Sequence, residues 1–172
     1  MKKNEQGILI ILATVCLVVM LYIFGDKISE LKEWGYLGAF IITLISSGTI
    51  IFPAPGWAVV LGLAPHLNPL ILGIVAGLGS GLGEMTGYFA GLGGHYILDK
   101  KTRRLQELTE KYGPWIFFIL SVIPNVFFDI AGIIAGASKI KIYKFLIPVI
   151  LGKIIRYVII CYAVTYGIAL FS

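Results

Sequence analysis

Long apolar runs separated by short polar stretches set the elements of this 172-residue chain. Residues 7–24 are uncharged and long enough to span a bilayer as one helix. A polar stretch, 25–34, leads into an uncharged run over 35–64 that contains two prolines and ends in a Pro-His-Leu-Asn-Pro turn at 65–69. Residues 70–98 form a Gly-rich apolar run whose one charge is Glu84. In 99–112, Leu98, Leu105, Leu108 and Tyr112 fall on one helical face, which predicts a helix lying on a membrane surface. A further apolar run, 113–138, is interrupted by Pro124, Asn125 and Asp129, and 145–171 forms a last long span.

Charge changes this picture by fixing sides. Lys2 and Lys3, the basic residues of 99–112, and Lys139, Lys141 and Lys144 belong on the cytoplasmic face, whereas 25–34, net −1, belongs outside. These placements agree only if 35–64 enters from outside and returns there, and 113–138 enters from inside and returns there. The predicted fold is therefore an all-α integral membrane protein with two opposed re-entrant helical hairpins, about 35–64 and 113–138. They pack among three transmembrane helices and leave the C-terminus outside. Residues 1–29 form the N-terminal helix, read as retained rather than as a signal peptide, because the 19 uncharged residues 7–25 exceed a usual signal core. Residues 30–172 form the main membrane domain.

Composition supports the class. The chain is 58% hydrophobic and only 13% charged, about half the charged share of a soluble domain. The apolar runs are too long and too unpatterned for barrel strands. Cys16 and Cys161 lie in apolar runs without metal or redox spacing. No phosphate-binding Gly-rich loop, metal-ligand spacing or nucleophilic triad is present, so an ATP-driven pump and most membrane enzymes are excluded, and no cofactor is expected.

The two hairpins pattern as an inverted repeat, in which Pro53 matches Pro124 and Gly62 matches Gly132. The breaks are Pro53, Pro55 and Gly56 in one half, and Pro124, Asn125 and Gly132 in the other. Glu84 follows Pro53 by 31 residues and Arg156 follows Pro124 by 32, which puts both near the bilayer centre. A charge there is paired or functional. The preferred arrangement is a Glu84–Arg156 ion pair, either functional or simply locking the halves together. Lys153 shares a face with Arg156 and either adds positive charge to the site or snorkels to the headgroups. Asp129 pairs with one of these cations, binds a proton, or caps the returning half-helix. Gly79, Gly83, Gly87 and Gly91 recur every fourth residue and predict close helix packing.

Four stretches together resemble the DedA family, also called the SNARE-associated or VTT-domain family. They are FPAPGW at 52–57, GSGLGEMTGYFAGLGG at 79–94, LSVIPNVFFDIAGIIAGASKIKIYKF at 120–145 and GKIIRY at 152–157. The resemblance covers about residues 30–170. It implies opposed re-entrant hairpins and lipid transport, as undecaprenyl-phosphate flippases or phospholipid scramblases. Glu84 matches the family's acidic position, Pro124 and Gly132 its second hairpin, and Arg156 a basic residue of its last helix. Many bacterial members carry an acidic residue where this chain has Gly56 and Trp57, and an Arg where it has Ser121. Those departures shift the expectation towards a phospholipid scramblase.

The functional expectation is thus a non-enzymatic lipid translocase of the bacterial plasma membrane, multi-pass and independent of ATP. Lys153 and Arg156 would bind a phosphate headgroup, and Glu84 and Asp129 would carry a proton or an ion pair. The partners are membrane lipids with anionic or phosphate headgroups, not nucleic acid, and a homo-oligomer is left open. Two alternatives stand beside it: a proton-coupled small-ion or drug transporter, and a non-transporting membrane scaffold.

Overall fold

The computed structural model describes residues 32–48, 56–93, 107–109, 111–123 and 128–169, and all regular structure among them is helical. The principal helices are α1 (Lys32–Gly48), α2 (Gly56–Leu63), α3 (Pro69–Gly83), α4 (Met85–Gly93), α5 (Trp115–Val122), α6 (Phe128–Ala137) and α7 (Ile142–Ala169). The expected first span, most of the surface helix 99–112, and the tips bearing Pro53, Pro55, Pro124 and Asn125 lie outside the described residues.

Local chemistry sets several helix ends. Asn68 caps α3, its Oδ1 accepting from the N–H groups of Leu70 at 3.0 Å and Ile71 at 3.2 Å, with Pro69 in the first turn. Gly113, at φ +66°, closes the short helix before Pro114. α6 ends in a Schellman turn: Ile140 N–H donates to Ala135 O and Lys139 N–H to Gly136 O. Lys139 takes the left-handed position at φ 54°, where glycine is the usual occupant. α3 and α4 form one run across Glu84, which keeps helical angles (φ −65°, ψ −14°). Among the described residues, two helices are long and apolar enough to cross a membrane, Pro69–Gly93 and Ile142–Gly167.

These two helices pack antiparallel at the centre. A Cβ on Gly73 would fall 2.6 Å from Val158 Cα, one on Gly77 2.6 Å from Ile154 N, and one on Gly81 3.0 Å from Ile150 Cα. The absence of side chains at these three positions lets the backbones touch. α1 runs parallel to α3: the Asn68 N–H donates to Tyr36 Oη at one end, and the Thr86 hydroxyl donates to Gly48 O at the other. α5 lies along α7, with the Phe117 ring edge-on to Phe145 and Ser121 against Gly152. α6 lies on α4 through Gly132 and Gly136, and the α2–α3 turn meets α7 where Thr165 donates to Ala64 O.

The core divides in two. Val59, Val60, Leu63, Leu72, Ala76, Tyr157 and Cys161 fill one end, and Tyr88, Phe117, Ala131, Ala135, Phe145 and Val149 fill the other. On each central helix the buried positions recur every four residues, Leu72, Ala76, Ser80, Glu84 and Tyr88 facing Cys161, Tyr157, Lys153, Val149 and Phe145. The polar members of both series fall in the middle.

Candidate functional site

The site is the polar level between the two apolar cores. Lys153 projects from α7, and its Nζ lies 2.5 Å from Glu84 Oε1, 2.8 Å from Ser80 Oγ and 3.2 Å from Ser80 O. Ser47 reaches in from α1: its Oγ is 2.6 Å from Ser80 Oγ and 3.5 Å from the ammonium. The Tyr157 hydroxyl also lies beside Ser80. Glu84 and Lys153 are 3% and 5% exposed, so both charges have left solvent. Burying ions of this size carries a penalty of several kcal/mol each, offset only when the pair is close and the remaining valences are filled. Here the carboxylate and the two serines supply acceptors for the ammonium's three protons.

Ser80 joins three elements because of its angular position. At 100° per residue it sits between two glycine faces of α3. Gly73, Gly77 and Gly81 meet α7, while Gly79 and Gly83 meet α1, where an added Cβ would lie 2.6 Å from Thr43 Oγ1 and 2.8 Å from Ser47 Cβ. A side chain between those faces touches both neighbours. The expected glycine ridge does serve packing, but against more than one helix: Gly79 and Gly83 face α1, and Gly91 faces Ile133 of α6.

The preferred Glu84–Arg156 pair is not what forms. Glu84 takes Lys153 instead, and the snorkelling of Lys153 is likewise ruled out by its burial. Residues 153 and 156 are separated by 60° around α7, and the glycine contacts turn the Lys153 face towards α3. Arg156, at mid-length of α7 and one turn beyond Gly152, is only partly buried. Its Nε is shut away from solvent with no hydrogen-bond partner among the described residues.

The other expected residues fall around this level. Gly56 begins α2, and its N–H donates to Ser46 Oγ at 3.0 Å, tying α2 to α1. Gly132 is buried where α6 crosses the α3–α4 junction, and a Cβ there would lie 3.4 Å from Glu84 O. Asp129 lies in the first turn of α6. Sequence reasoning missed Ser47, Ser80 and the second glycine series. The signal existed in Ser80, one turn before Glu84 and the one hydroxyl-bearing residue in 69–83.

The ammonium of Lys153 is held as one half of an ion pair with Glu84 and donates to the Ser80 hydroxyl. The site offers a cation and an anion that can exchange partners, beside a second cation with spare donor capacity. Among known proteins, the model of the VTT domain matches residues 52–166, while no curated protein and no solved structure matches. That match takes in all of α2 to α6 and most of α7, including Glu84, Lys153 and Arg156. With two membrane-length apolar helices and two thirds of its length inside that model, the chain is a membrane protein belonging to the VTT-domain family, the DedA/SNARE-associated family.

Proposed function

We propose that this protein is a lipid translocase that carries lipids with a phosphate headgroup across the bacterial plasma membrane without ATP. The observation that carries the reading is Arg156: a guanidinium at the middle of a membrane-length helix, partly exposed, with a buried Nε lacking a partner among the described residues. A cation at that depth is expensive unless an anion visits it. A phosphate diester is the anion with the best fit, because a guanidinium binds it through two parallel charge-assisted hydrogen bonds. The polar level of Ser47, Ser80, Glu84 and Lys153 supplies further groups for a headgroup, while acyl chains stay among the exposed Ile and Leu side chains of α7.

The packing supports two re-entrant hairpins in an inverted repeat. α1 lies along α3 as α5 lies along α7, and α2 meets α7 as α6 meets α4. Ser47 against Ser80 has its counterpart in Ser121 against Gly152. The C-terminal ends of α1 and α5 reach the central pair from opposite ends, Ser47 beside Ser80 and Ser121 beside Gly152. Such broken elements are tolerated at membrane depth where they are buried in protein or line a wet cleft. The family's transport-type character agrees with a protein that moves lipids rather than transforming them.

Reconstitution into liposomes containing dye-labelled phospholipids tests the reading. Purified protein is expected to make the inner-leaflet dye reachable by an external quencher within minutes. Dye that stays protected as in protein-free vesicles would count decisively against it. Including undecaprenyl phosphate, phosphatidylglycerol and phosphatidylcholine in separate vesicles identifies the headgroup class.

A further inference from the structure

The two cations of the site stand in different states. Lys153 is buried and its donors are directed at Glu84 and Ser80, whereas Arg156 is partly exposed and its Nε is unsatisfied. We propose that Glu84 is an internal surrogate for the lipid phosphate: its carboxylate occupies the anion position on Lys153, and a headgroup first held by Arg156 takes that position only when Glu84 gives it up. This rests on the lipid-translocase reading and adds an autoinhibitory contact to it. The chemistry recognised is an anionic phosphate oxygen, from a lipid headgroup or from free phosphate.

Three features support the exchange. Carboxylate and phosphate oxygens accept the same short charge-assisted hydrogen bonds, so one can replace the other on an ammonium. A lone buried ammonium is too costly to persist, so Glu84 and its replacement must alternate rather than leave Lys153 bare. Lys153 and Arg156 are three residues apart on α7 and therefore neighbours along its surface, so an anion on Arg156 is a short step from the ammonium. Ser47 and Ser80 keep hydroxyls on Lys153 throughout, and the 2.6 Å bond between them ties the first hairpin to the event.

The test measures thermal unfolding of the purified full chain in neutral detergent. The additions are phosphatidylglycerol, phosphatidylcholine or inorganic phosphate, and the variants are Glu84→Gln and Glu84→Gln/Lys153→Met. Removing the surrogate should leave Lys153 wanting an anion, so phosphatidylglycerol is expected to raise the melting temperature of Glu84→Gln by about 5 °C more than that of the wild type. The extra shift should vanish in the double variant and be smaller with phosphatidylcholine, whose phosphate is balanced by its own ammonium. An equal shift with inorganic phosphate assigns the position to phosphate itself, and a shift with phosphatidylglycerol alone assigns it to the lipid. Glu84→Asp, one methylene shorter and a poorer partner, should show a smaller shift of the same sign, and serves if Glu84→Gln does not fold. No extra shift in either variant overturns the inference even if the wild type flips lipid. Absence of flipping by the wild type, with the shift present, overturns the translocase reading alone.

Discussion

Lys153 Nζ lies 2.5 Å from Glu84 Oε1, joining two antiparallel helices at mid-length, in the layer that parts one apolar core from the other. The pair is a strongly directional link between the two helices. Ser80 and Ser47 extend it to a third helix, so α1, α3 and α7 meet in one hydrogen-bonded group.

Removing one member of that pair should harm far more than removing both. Lys153→Met strands a carboxylate in an apolar interior and is expected to cost about 3–5 kcal/mol, while Glu84→Gln/Lys153→Met should lie near the wild type. Unfolding of the purified variants in neutral detergent without anionic lipid measures both. A double variant as unstable as the sum of the singles would show that the two groups are not coupled.

The glycines of the central contact give a second expectation. Gly77→Ala forces a methyl into the Ile154 backbone and should destabilise by about 1–3 kcal/mol or more. Gly38→Ala, in α1 with nothing within 4 Å of the new carbon, should instead stabilise by about 0.5–1 kcal/mol. Melting temperatures that move in the same direction for both would contradict the close approach of α3 and α7.

The midplane charges and the two broken runs could be read directly from letters, because an uncharged run of membrane length makes any Glu, Lys or Arg conspicuous. The partner of Glu84 could not. α3 carries two interleaved glycine series of the same period, 73/77/81 and 79/83, and which of them meets α7 sets the rotation of Glu84. No residue type distinguishes the two series, since both are simply glycine every fourth position. The Schellman turn at Lys139 was hidden for a different reason. Its left-handed position is marked in sequence by glycine, and here a lysine fills it.

The proposed re-entrant arrangement predicts a labelling pattern for single-cysteine variants made without Cys16 and Cys161. Trp34→Cys and Pro65→Cys should react with an impermeant maleimide from the outer face only, and Lys111→Cys and Lys141→Cys from the cytoplasmic face only. Ala54→Cys, at the first tip, should not react from the cytoplasm. Reaction there would mean that the first hairpin crosses the bilayer completely, and the inverted repeat would fail with it.

Arg156 separates function from stability. Because its Nε has no protein partner among the described residues, Arg156→Gln removes a partly buried cation without stranding an Nε partner. Its melting temperature should therefore stay within a few degrees of the wild type, unlike that of Lys153→Met. Transport should respond the other way: dye-lipid flipping is expected to slow about tenfold or more, as one charge-assisted phosphate contact of about 1.5–3 kcal/mol disappears. Arg156→Lys keeps the charge but loses the planar fork, so it should recover only part of the rate. Flipping by Arg156→Gln at the wild-type rate, with the protein folded, would remove Arg156 from the headgroup path.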